Sequence, residues 1–196
     1  MIKISIIAIC FSLLFVLLAW FMLPKFLEQP KYKVVRKEND IEIRSYDKIL
    51  MSSVKVYGNQ YNSLRNGFQP LVRYIGAKER VSEKISMTAP VIQTISDESE
   101  NWTVSFAMPS KYNIDNLPKP TDDDIFFEEI QPSLAAVIRF SGVADTSLLN
   151  QKAKILKRWL EENSYTESSS PKFLFYNDPS TPGFLRRNEV MIIINK

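Results

Sequence analysis

The chain matches itself at an offset of 84 residues, and this repeat limits its possible folds more than any other feature of the sequence. Ile41 and Ile43 fall on Ile125 and Phe127, and Leu50, Ser52, Val54 and Val56 fall on Leu134, Ala136, Ile138 and Phe140. Alternation at period two marks a half-buried strand, and it occurs in both halves. Gly58 then lands on Gly142, a turn residue closing each strand. Leu64, Phe68, Leu71, Val72 and Ile75 follow at helical spacing. The offset pairs them with Leu148, Lys152, Ile155, Leu156 and Trp159, a match broken only at Lys152. Finally, Val104, Phe106 and Met108 meet Asn188, Val190 and Ile192. Each half thus reads strand, helix, strand, strand. An apolar helix stripe needs a sheet to cover it, so the two halves should share one core, with Phe68 and Trp159 facing it. The expectation is an α+β fold: a duplicated βαββ unit, a curved antiparallel sheet and two helices related by a pseudo-twofold. The proline- and aspartate-rich residues 109–124 read as the connector.

The amino-terminal residues stand outside this pattern. Residues 4–23 run twenty positions without a charge, between Lys3 and Lys25. As a helix they would extend about 30 Å, the thickness of a bilayer's hydrocarbon core. Trp20, Phe21 and Met22 stand where a cleavable signal would need small residues. The chain therefore divides, on this reading, into an N-terminal transmembrane anchor and linker over residues 1–30 and a folded domain over 31–196. Lys25, Lys31, Lys33, Arg36 and Lys37 against Lys3 favour a cytoplasmic domain. The three-residue tail before the apolar run instead resembles a signal-anchor that exports the domain after it. The expectation is a single-pass membrane protein with its domain on the extracytoplasmic side.

Composition removes whole classes of chemistry. The chain has no histidine, which excludes Ser-His-Asp and Cys-His catalysis and histidine-held zinc, iron or haem. Its single cysteine, Cys10, allows neither an intramolecular disulfide nor a thiolate cluster. With 25 Lys and Arg against 22 Asp and Glu, the net charge of +3 is too even to imply nucleic acid as a partner. Asp122, Asp123, Asp124, Glu128 and Glu129 form the one dense carboxylate run. Glu128 and Glu129 are neighbours on a strand and so point to opposite faces, which spoils an acid–base pair. No catalytic residue and no metal site is expected, and the chain reads as a binding protein rather than an enzyme.

Two segments are more distinctive. Residues 84–91, KISMTAPV, read as a strand ending at Pro90, and residues 176–190, YNDPSTPGFLRRNEV, as a turn entering the last strand. Arg186 and Arg187 beside Glu189 read as cross-strand ion pairs. These segments, with Tyr32-Lys33-Val34-Val35 and Ile41-Glu42-Ile43-Arg44, resemble the signatures of the SOUL, or haem-binding-protein, family over residues 31–196. The resemblance implies a duplicated βαββ unit forming a distorted antiparallel β-barrel flanked by two helices. It also implies non-catalytic binding of haem or another tetrapyrrole in an apolar groove beside the first helix, as a carrier or buffer. On this chain the matching positions are Leu64, Phe68, Val72 and Arg73, the last near the propionates. The basic residue of some members before the Arg-Arg pair is here Ser180 or Thr181. Without histidine, an axial ligand would come from Met or Tyr, or be absent. The plain alternative for Leu64, Phe68 and Val72 is core packing. The alternative function is a module for a different small apolar ligand or a partner peptide.

Overall fold

The computed structural model describes Ser12 and residues 27–78, 83–95 and 101–195. In chain order these form β1 (Tyr32–Glu38), β2 (Ile41–Tyr46), β3 (Ile49–Tyr57), α1 (Gln60–Ile75), β4 (Val91–Ile95), β5 (Asn101–Ala107) and β6 (Ile125–Ile130). There follow β7 (Ser133–Phe140), α2 (Thr146–Glu162), the two-residue β8 (Thr166–Glu167), β9 (Lys172–Phe175), a 3-10 turn (Gly183–Leu185) and β10 (Asn188–Asn195). The class is α+β, with one large antiparallel sheet and, among the described residues from position 27 onward, two α-helices.

The strand order is β1-β2-β7-β10-β9-β4-β5-β3-β6, with β8 beside β10. Exchanging β2 with β6, β3 with β7, β4 with β9 and β5 with β10 leaves the path from β2 to β6 unchanged when read from its other end. The centre of this symmetry is the seam where β4 pairs β9. Each half carries a leading strand beyond the expected βαββ, and that strand crosses over: β2 pairs β7, and β6 pairs β3. The hydrogen-bonded path is open, ending on β1 and β6.

Both helices start on capping side chains. Asn59 accepts a hydrogen bond from the Asn62 backbone N–H, and Asp145 accepts one from that of Leu148. Asn59 follows Gly58 directly, whereas Val143 and Ala144 separate Asp145 from Gly142. This two-residue insertion shifts the repeat from the helix onward. Ser52 lies opposite Phe106, and its counterpart Ala136 lies opposite Ile192, so Ile192 and not Val190 corresponds to Phe106. An even insertion keeps every strand residue on its original face.

The helices cover separate cores. α2 buries Leu149, Ala153, Leu156, Trp159 and Leu160 against β7 and β10. α1 lies on β3 and β5 with Gln60, Ser63, Gly67, Leu71, Tyr74 and Ile75 inward. Gly67 sets that orientation, since a Cβ there would stand 2.6 Å from Val104 Cβ. The helix is thereby turned so that Phe68 is 36% exposed, and Leu64 and Val72 are half-buried. The single core shared by Phe68 and Trp159 is thus corrected. A third cluster, including Met51, Ile92, Ala135, Val137 and Met191, fills the sheet's other face. Among the described residues that face carries no helix; we call it the inner face.

Two further expectations change. The strand expected over residues 84–91 begins instead at Val91, after the cis Ala89–Pro90 bond. The single-pass membrane localisation is corrected as well: among the described residues no helix is long and apolar enough to cross a membrane. Residues 4–23, on which that expectation rested, lie outside the described residues apart from Ser12.

Gly67→Ala gives a direct test of the close helix contact. At an open helical site this change gains about 1 kcal/mol, whereas forcing an atom into a packed contact costs about 1–3 kcal/mol. Denaturant unfolding should show a net loss of stability; a gain would mean that α1 stands farther from Val104.

Candidate functional site

At 100° per residue, Tyr61, Leu64, Phe68 and Val72 fall along one flank of α1. The Phe68 ring packs edge-on against Phe106 at 5.4 Å between centroids. From there the sheet register leads across the molecule: Phe106 opposite Val91, Val91 opposite Phe175, Phe175 opposite Asn188. The Asn188 side-chain amide donates to the Gly142 carbonyl at 3.0 Å, and the Gly142 N–H donates to the Gly183 carbonyl at 2.9 Å. Val143 and Phe184 beside those glycines are exposed, and Val91 and Phe175 are half-buried. An apolar tract therefore runs from α1 over the central strands to the β7–α2 and β9–β10 loops.

Of the four residues expected to bind ligand, three share this flank and one does not. Leu64 and Arg73 are nine positions apart, half a turn around the helix. Arg73 stands 3.9 Å from Asp122, on the side of the 109–124 connector. The cavity between Arg73, Tyr74, Pro120 and Asp122 measures about 10 Å³, room for one water at most. Arg65, which the sequence reading passed over, lies on the outer rim of the apolar flank and is exposed. Counting one turn on from Tyr61 would have found it. A larger cavity of about 270 Å³ opens elsewhere, between the segment before β1, the β2–β3 turn and the chain after β5.

Aligned by their caps, the two helices differ sharply on this flank. Tyr61, Leu64, Phe68 and Val72 of α1 correspond to Ser147, Asn150, Lys154 and Arg158 of α2. On this flank only α1 presents apolar side chains; the exposed apolar residue of α2, Ile155, lies off it.

The inner face holds a buried ionic cluster. Arg44 donates to both carboxylate oxygens of Glu189 at 2.8 and 3.0 Å, to Glu42 at 2.8 Å and to the Tyr46 hydroxyl at 3.1 Å. Tyr176 donates to Glu189 at 2.9 Å, and Arg187 donates to it through Nε and Nη2 at 3.0 and 2.8 Å. Arg44 stacks over Tyr32, and Arg187 over Tyr176. Burial pushes the Glu189 pKa up, but the bonds and charges of Arg44 and Arg187 outweigh it and hold the group below its ordinary value. Burial pushes Tyr46 up to about 12, against the opposing pull of Arg44. Every charge in the cluster has a partner, so it is a structural tie and not an open acid–base site. Arg187 does pair Glu189, though two positions along the same segment and not across strands, whereas Arg186 donates to the Thr181 carbonyl at 2.7 Å and to that of Pro179, closing the turn. The sequence signature contains Arg44 without assigning it a role, although alternation along β2 puts Glu42, Arg44 and Tyr46 on the face opposite Ile41 and Ile43.

Glu128 and Glu129 do face opposite ways: Glu128 accepts from Ser53 at 2.9 Å, and Glu129 pairs Lys48 at 3.0 Å. No group of three or more possible metal ligands lies together among the described residues. Comparison with known proteins gives a match to the SOUL heme-binding protein family over residues 27–193. Heme-binding protein 2 of Homo sapiens is 28% identical over 162 residues, covering 79% of this chain and 78% of the relative. Heme-binding protein 1 of Xenopus laevis is 31% identical over 161 residues, covering 79% and 83%. Among solved structures, the EcmrR C-terminal domain superposes with a TM-score of 0.61 over 84% of this chain and 98% of that one, at 14% identity, a likeness of fold alone.

Removing one partner of a buried pair strands the other charge, so Arg44→Met should cost about 3–5 kcal/mol in denaturant unfolding. Arg44→Met with Glu189→Leu should recover most of that loss. Since the folded pKa of Glu189 is depressed, its stabilisation is complete above the ordinary glutamate pKa and is lost as pH falls through the folded value. The wild-type chain should therefore lose stability in acid more steeply than the double variant; equal slopes would refute the tie.

Proposed function

Because this chain belongs to the SOUL heme-binding protein family, we propose that it binds haem or another tetrapyrrole without catalysis, on the apolar flank of α1. The observation that carries this reading is the inequality of the two helices. Leaving Tyr61 and Phe68 exposed beside the half-buried Leu64 and Val72 costs solubility, and the matching flank of α2 is polar instead. A porphyrin supplies the flat apolar surface that such a flank would bury. Arg65 stands on the rim, where a guanidinium can pair with a propionate that stays near water. Arg73, held toward Asp122, is left a minor electrostatic part. The flank suits the macrocycle, while the absence of histidine leaves affinity to apolar burial in the first place.

The finer architecture belongs to the same proposal. Two copies of one unit, curled into a distorted barrel over residues 31–196, account for the palindromic strand order and for the apolar cluster on the inner face. Duplication would supply two helices, of which one keeps a solvated surface and the other becomes the binding flank.

Titration of the full chain with haem and with metal-free protoporphyrin, followed by absorbance and tryptophan quenching, tests the reading. Saturable binding is expected for both. Phe68→Glu should weaken both by about tenfold or more, equivalent to about 1.4 kcal/mol. Arg65→Glu should weaken them more than Arg73→Glu does, and Lys154→Glu on α2 should leave binding unchanged. No saturable binding up to tens of micromolar, or an equal loss in Lys154→Glu, would overturn the proposal.

A further inference from the structure

We propose that Tyr61 is the iron ligand when the tetrapyrrole is haem, an assignment that rests on the binding reading above. Ferric haem takes a fifth ligand from His, Cys, Met or Tyr side chains. Histidine is absent from the chain. Among the described methionines, Met51, Met108 and Met191 are buried in the cores, and Met87 is packed against the α1 core. Most tyrosines are committed elsewhere: Tyr32, Tyr46 and Tyr176 to the Arg44–Glu189 cluster, Tyr74 to the Pro118 carbonyl, Tyr112 to Glu83, and Tyr165 to the Trp159 ring. Tyr57 alternates with Met51 and Ser53 onto the inner face. Tyr61 alone combines the apolar flank of α1 with an open phenol: it is 76% exposed and makes no hydrogen bond or ring contact among the described residues.

Its place on the helix suits the role. Leu64 lies one turn on from Tyr61, about 5 Å along the axis, and Phe68 lies about 10 Å along it. A macrocycle centred near Tyr61 would thus keep its apolar contact with Leu64 and meet Phe68 only at its edge. Arg65, one turn after Tyr61 on the exposed side, is within reach of a propionate or of the bound phenolate oxygen. The phenol gives up its proton to solvent as its oxygen binds ferric iron, and no electron is transferred.

The full-length chain loaded with ferric haem should give the high-spin electron paramagnetic resonance signal and the phenolate Raman bands of an iron–tyrosinate. Haem should bind more tightly than metal-free protoporphyrin. Tyr61→Phe should abolish the bands and weaken haem by about tenfold, toward the affinity of protoporphyrin, while protoporphyrin binding stays unchanged. Tyr57→Phe should alter neither. If both pigments bind and Tyr61→Phe keeps the wild-type spectrum and haem affinity, the ligand assignment is overturned while the binding site stands. If neither pigment binds the wild-type chain, both fall together.

Discussion

The rest of the structure depends on the bidentate contact between Arg44 and Glu189. Arg44 belongs to β2 in the first half and Glu189 to β10 in the second, with β7 between them. Two nearly inaccessible charges are tolerable only while they satisfy each other, since an unpaired buried charge costs several kcal/mol. The contact therefore dictates register. A one-residue slip of β2 would move Arg44 to the helix-covered face and leave Glu189 without its main partner. Small residues of β7 accommodate the reach, with Ala135 lying directly opposite Arg44. Tyr32 of β1 and Tyr176 and Arg187 of the last turn converge on the same pair, so the first and last parts of the domain are tied to each other.

With the two halves locked together, the helices are free to differ. The tight approach permitted by Gly67 rotates α1 until its apolar flank meets solvent. On α2 the cap-aligned counterpart of Gly67 is Ala153, and the flank beside it is polar. A symmetric scaffold thus carries one asymmetric surface, and the binding reading rests on that difference. The loops at the far end of the tract, held by Asn188 and Arg186, give the surface a firm second border.

Much of this was legible beforehand. Alternation and helical spacing identify both helices and most of the long strands, and the repeat identifies their twofold relation, because side-chain periodicity follows directly from backbone geometry. The absence of histidine removes whole reaction classes with no reference to shape. Leu64, Phe68 and Val72 could be grouped for the same reason, being four residues apart on one helix. Arg73 could not be placed so simply: adjacent to Val72 in sequence, it lies half a turn from Leu64 and turns toward Asp122.

Periodicity tells which residues share a face, but it does not tell which face is covered or by what. Class, repeat and chemical exclusions were therefore properties of the sequence itself. Only the tertiary structure decided that the leading strands pair across the halves, that Gly67 turns Phe68 outward, and that Arg44 is buried on Glu189. Each of these depends on contacts between residues far apart in the chain, whose energies no local pattern contains.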